Sequence, residues 1–81
     1  MRIIATIPHP EMRISIFHIN DKYIVKFEAG PMEQAYKFNQ AETGGPDQLK
    51  EILDPAFMNH VLEQFKQMFN ALKQVKERLK T

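Results

Sequence analysis

Apolar and polar residues alternate through the first 39 positions, and the alternation closes into three hairpins that agree on one buried face. The spacing predicts strands over 2–7, 12–19, 22–28 and 33–39. Closing the second hairpin at Asn20-Asp21, polar residues that tolerate turn dihedrals, sets His18 opposite Tyr23, Ile16 opposite Val25 and Ile14 opposite Phe27. Closing the third at Gly30-Pro31 sets Val25 opposite Tyr36 and Tyr23 opposite Phe38. Closing the first around Pro8-His9-Pro10-Glu11 sets Ile7 opposite Met12, Ala5 opposite Ile14 and Ile3 opposite Ile16. Directly opposed residues share a face, so one side collects Ile3, Ala5, Ile7, Met12, Ile14, Ile16, Tyr23, Val25, Phe27, Tyr36 and Phe38.

The other side carries three mixed rows: Thr6-Arg13-Glu28-Glu33, Ile4-Ser15-Lys26-Ala35 and Arg2-Phe17-Ile24-Lys37. Arg13 opposite Glu28 is a favourable pair, and Glu28 opposite Glu33 needs a bridging cation, which Arg13 is placed to supply. Ile4, Phe17 and Ile24 form an apolar island flanked by Arg2, Lys26 and Lys37. These six residues are the candidate surface for a protein partner or a nucleic acid.

At Thr43-Gly44-Gly45-Pro46 the period changes from two to helical. The reading is a loop over 40–46, a short helix over 47–53 capped by Asp47, and a long helix over 55–79. Asp54 is placed as N-cap and Pro55 at the first helical position. Met58, Val61, Leu62, Phe65, Met68, Phe69, Leu72, Val75 and Leu79 fall on one stripe with heptad-like spacing. Lys73, Lys76, Arg78 and Lys80 near the C-terminus complement the helix dipole. Such a helix spans about 37 Å at 1.5 Å per residue, against about 23 Å for a seven-residue strand. It overhangs any sheet it covers. Leu72, Val75 and Leu79 are therefore the candidate dimer contacts, with the short helix as the other surface available to them.

Composition narrows the chemistry. The chain has 81 residues, 43% hydrophobic and 10% aromatic, which suits one packed domain over 1–81. It has no cysteine, hence no disulfide framework and no thiolate nucleophile. The apolar run Ile3–Ile7 ends at Pro8, too short for a signal-peptide core, and no stretch approaches a membrane span, so a cytoplasmic protein without membrane association is expected. Net charge is +1, which argues against binding by bulk charge. Glu42, Asp47, Glu51 and Asp54 make the middle acidic, and the basic residues of the long helix outnumber Glu63 and Glu77.

No constellation points to catalysis. Ser15, the one serine, sits mid-strand without an adjacent base. His9, His18 and His60 lack the spacing of a metal site, and His18 is expected to bond a backbone group. Gly44-Gly45 lacks the following Lys-Ser/Thr of a phosphate loop. The expectation is a non-catalytic interaction module with no cofactor or metal, forming a homodimer through the long helix.

The fold class is α+β: a four-stranded antiparallel meander, a short helical turn, and a long amphipathic helix on one sheet face. In element order this resembles single-strand DNA-binding domains of the positive-cofactor-four and Whirly type, in which helices mediate dimerisation. The resemblance rests on element order, with no shared motif, and no residue roles follow from it. It implies an alternative function, single-stranded nucleic-acid binding on the outer face, with Phe17 for stacking and Arg2, Lys22, Lys26 and Lys37 for phosphates. Glu28 and Glu33 on the same face oppose it.

Overall fold

Four strands, β1 (Arg2–Ile7), β2 (Arg13–Ile19), β3 (Lys22–Ala29) and β4 (Met32–Asn39), form one antiparallel sheet in sequence order in the computed structural model, which describes residues 2–79. Three helices follow: α1 (Gln40–Thr43), α2 (Pro46–Ile52) and α3 (Pro55–Leu79). The domain is α+β, as the alternation implied. Met1, Lys80 and Thr81, included in the expected domain, lie outside the described residues.

The second and third hairpins have the expected register. His18 pairs with Tyr23, Ile16 with Val25 and Ile14 with Phe27; Val25 pairs with Tyr36 and Tyr23 with Phe38. Two-residue turns pin both. Asn20 takes a φ of 55°, a conformation open to asparagine, and Gly30 takes 59°, which suits glycine ahead of Pro31.

The first hairpin differs. Ile7 pairs with Ile14 and Ala5 with Ile16, two residues away from the expected register. Pro8 and Pro10 offer no backbone N–H to a ladder, so the connection opens into a wider loop. Within it the Glu11 N–H donates to Nδ1 of His9 at 3.1 Å, and Met12 folds under the core. A slip of two preserves the faces, so Ala5 and Ile7 still point inward. A bulge between Ile3 and Ala5 then reverses Ile3, which pairs with Phe17 and is 51% exposed. Ile3 belongs to the outer face, not the core.

The core is Met12, Ile14, Ile16, Tyr23, Val25 and Phe27 from the sheet, Leu49 and Leu53 from α2 and the residue after it, and Met58, Val61 and Phe65 from α3. Phe57 packs edge-on against Phe27 and Tyr36, with centroids 5.9 and 5.4 Å away. The Tyr36 hydroxyl donates to Oε1 of Gln34 at 2.6 Å, and Nε2 of Gln34 donates to the Val61 carbonyl at 3.0 Å. This chain ties β4 to α3.

Residues 40–46 are not simply a loop. The Gln40 N–H donates to the Asp21 carbonyl at 2.8 Å and starts the single turn of α1, which Gly44 ends at a φ of 83°. α2 begins at Pro46, with Gly45 at the N-cap position, so Asp47 lies in the first turn rather than capping. Leu53 ends α2. Asp54 then caps α3 as expected: its Oδ1 accepts the Phe57 N–H at 2.9 Å.

Candidate interaction surfaces

Most of the large apolar side chains left exposed among the described residues lie on two surfaces, Ile52 of α2 being the exception. The first is the outer sheet face. Phe17 and Ile24 are adjacent across β2 and β3, partly exposed, with Lys37 beyond Ile24 on β4. Arg2 does not complete that row. The bulge displaces it to pair with His18, and Ile3 takes the place beside Phe17. The result is a continuous row Ile3-Phe17-Ile24-Lys37. Ile4, the unpaired bulge residue, is 38% exposed and lies opposite no residue of β2, so the expected Ile4-Ser15 pair is not made; Thr6 pairs with Ser15 instead. Ile19 and Ile24, with Lys22 and Lys37, line a shallow hollow beside the Asn20-Asp21 turn. Ile3 and Ile19 were not among the residues first picked out, and Lys22 was named only as a phosphate contact. The doublet Ile3-Ile4, which no strict alternation accommodates, was the signal for Ile3.

The lower half of this face is polar. Nζ of Lys26 lies 3.3 Å from Oε1 of Glu33, so Lys26 on the diagonal, rather than Arg13, relieves the Glu28-Glu33 juxtaposition. That pairing occupies one of the cations assigned to phosphate contact. Ser15 is buried between Thr6 of β1 and Lys26 of β3.

The second surface is the C-terminal half of α3. Positions 58, 61, 65, 68, 72, 75 and 79 alternate three and four apart, the a/d spacing of a helix-packing seam. Met58, Val61 and Phe65 are buried against the sheet, and Met68 packs partly on the same core. There the intramolecular cover ends. Leu72 is of intermediate exposure outside the core, Val75 is 49% exposed and Leu79 80%. Phe69, on the flank of the seam, is 51% exposed. Two hollows run down this flank and share Phe69: one of about 450 Å³ between α3 and the β1–β2 loop, lined by Glu11, Leu62, Phe65, Lys66, Phe69 and Asn70, and one of about 210 Å³ beside Leu72, Lys73 and Lys76. Leu49 of α2 and Leu53 after it are spent in the main core, which does not include Leu72, Val75 or Leu79.

His18 stacks at a tilt on Tyr23, 5.2 Å between centroids, and its Nε2 bonds Oε1 of Gln40 at 3.3 Å, a side chain rather than the expected backbone group. Among the described residues no three His, Asp or Glu side chains converge as metal ligands, and no helix is long and apolar enough to cross a membrane.

Comparison with family models, curated proteins and solved structures found no match to this chain. The two surfaces are the whole basis for a functional reading.

Proposed function

We propose that this protein is a non-catalytic interaction module that self-associates as a homodimer through the C-terminal half of α3, leaving its outer sheet face for a different partner. One observation carries the reading. The seam that seats α3 on its own sheet continues without a break past the end of that sheet, through Leu72, Val75 and Leu79. A stripe that served the core alone would turn polar after Met68. Burying these side chains against another apolar surface is worth about 1.5–3 kcal/mol each, and the same stripe on a second copy has matching spacing.

Light scattering tests this. The intact chain is expected at about twice 9.5 kDa, and Leu72→Lys/Leu79→Lys at the mass of one chain with an unchanged circular dichroism spectrum. A wild-type protein that stays monomeric at high concentration overturns the proposal.

The competing function is single-stranded nucleic-acid binding on the outer face. Phe17 and Ile24 with Lys22 and Lys37 beside them favour it; Glu28 and Glu33 below, the engagement of Lys26 with Glu33, and the displacement of Arg2 to pair with His18 count against it. Oligonucleotide binding by fluorescence anisotropy at low salt separates the two. Binding that falls steeply with salt and is lost in Phe17→Ala would establish the nucleic-acid function.

A further inference from the structure

We infer that the two copies pair antiparallel, each helix tip reaching the hollow beside the partner's β1–β2 loop. This rests on the self-association proposed above and adds its geometry. The argument is first steric. In each chain the sheet lies on the seam face of α3 at Met58, Val61 and Phe65. A second helix laid on that same face at Leu72, Val75 and Leu79 and running parallel would enter the space the sheet already fills, and would bring its own sheet to the same place. Running antiparallel, its N-terminal half continues past the first chain's C-terminal end into open space, and only its tip reaches back to the level of the sheet at Phe65. Its own sheet then lies beyond the first chain's tip, and the two sheets sit at opposite ends of the pair.

The distances close. From Phe69 to Leu79 the uncovered part of α3 is 11 residues, about 16 Å. With Leu72 of each copy at the two-fold axis, Val75 of one lies beside Phe69 of the other. Leu79 then falls at the level of Phe65, in the hollow that Glu11 closes on the loop side. That hollow lies on the flank beside the covered seam, an open depression floored by Leu62, Phe65 and Phe69, and the most exposed apolar residue of the stripe comes to rest there.

Charge points the same way. Parallel pairing would gather Lys73, Lys76 and Arg78 of both copies at one end. Antiparallel pairing sets Lys73 and Lys76 of each copy toward Glu11 on the partner's β1–β2 loop. Lys66 lies on the same flank, with its Nζ 3.9 Å from Oε2 of Glu63 in its own chain. Antiparallel helices also oppose their dipoles favourably.

The absence of cysteine makes the test clean. Glu11→Cys and Leu79→Cys are prepared separately, both at exposed positions, then mixed, allowed to exchange and oxidised, with light scattering run on each before oxidation. The expected result is a dimer in every sample, a disulfide joining one Glu11→Cys chain to one Leu79→Cys chain in the mixture, and no linked product from Leu79→Cys alone. In the antiparallel pair the two 79 positions lie about 21 Å apart, roughly 14 residues along the helix axis, beyond disulfide reach. A dimer in which Leu79→Cys links to itself overturns the antiparallel arrangement and leaves self-association standing. A dimer whose mixture forms no link between the two variants overturns the seating of the tip in the hollow. A monomer in every sample overturns both proposals. Leu72→Cys, at the axis, is the control: it links to itself in any dimer built on this seam.

Discussion

The two halves of α3 have the same seam spacing and opposite surroundings. From Pro55 to Met68 the stripe meets a sheet, an aromatic cluster of Phe27, Tyr36 and Phe57, and the Gln34 side chain on the Val61 carbonyl. From Phe69 to Leu79 the stripe is as apolar and meets solvent. Helix periodicity therefore reports that a face is to be buried, but not by what. Only the length of the sheet decides where self-cover stops.

The comparison makes graded predictions. The largest effect is expected from Phe65→Ala, which opens a cavity under α3 at a cost of about 3–5 kcal/mol. Urea unfolding of dilute, monomeric protein reads it directly. Phe69→Ala, one turn on, is expected to cost under about 1 kcal/mol in the same assay. Equal losses at 65 and 69 would erase the distinction between the halves.

Next in size is the effect of concentration on amide exchange. In dilute protein the amides of 69–79 are expected to exchange far faster than those of 58–65, because this half has only its own helical hydrogen bonds to resist opening. At concentrations where light scattering finds dimer, protection is expected to extend to the last turn. Exchange in 69–79 that ignores concentration would sever the link between the stripe and self-association.

Smaller effects test what anchors the buried half. Asp54→Ala removes the side-chain cap on the Phe57 N–H and is expected to cost about 1 kcal/mol. Gln34→Met removes the hydrogen bond to the Val61 carbonyl and leaves the Tyr36 hydroxyl without its partner, at about 0.5–1.5 kcal/mol. Both losses belong in monomer stability. A drop in dimer affinity without one would mean that the halves are coupled more tightly than their contacts show.

How far the sequence revealed this follows from what fixes each element. The second and third hairpins were legible because two-residue turns leave no freedom of register once the apolar faces are matched. The first hairpin was not. Its prolines lengthen the loop, a slip of two keeps every face unchanged, and only the Ile3-Ile4 doublet hints at the bulge. α1 left no trace because Gln40–Thr43 has no apolar period; its first amide is held from outside, by the Asp21 carbonyl. The long helix and its cap were legible from Asp54-Pro55 and the stripe, and its overhang from arithmetic on lengths. The outer-face island was found in part. Phe17, Ile24 and Lys37 stand together, while Arg2 and Ile4 were placed by a register the bulge breaks.

The strand order has a kinetic side. Every ladder in this sheet joins neighbours in sequence, so each hairpin closes over a short loop and none waits for a distant segment. Folding speed tracks the sequence separation of the contacts that must form, and mixed domains with local pairing fold faster than sandwiches of similar size. Local ladders of this kind predict that the sheet forms early and that Val61 and Phe65 dock onto it afterwards, a step in which the last three turns of the helix have no contact to make. Changes there should leave the folding rate of the lone chain untouched, and be felt only when two finished chains meet.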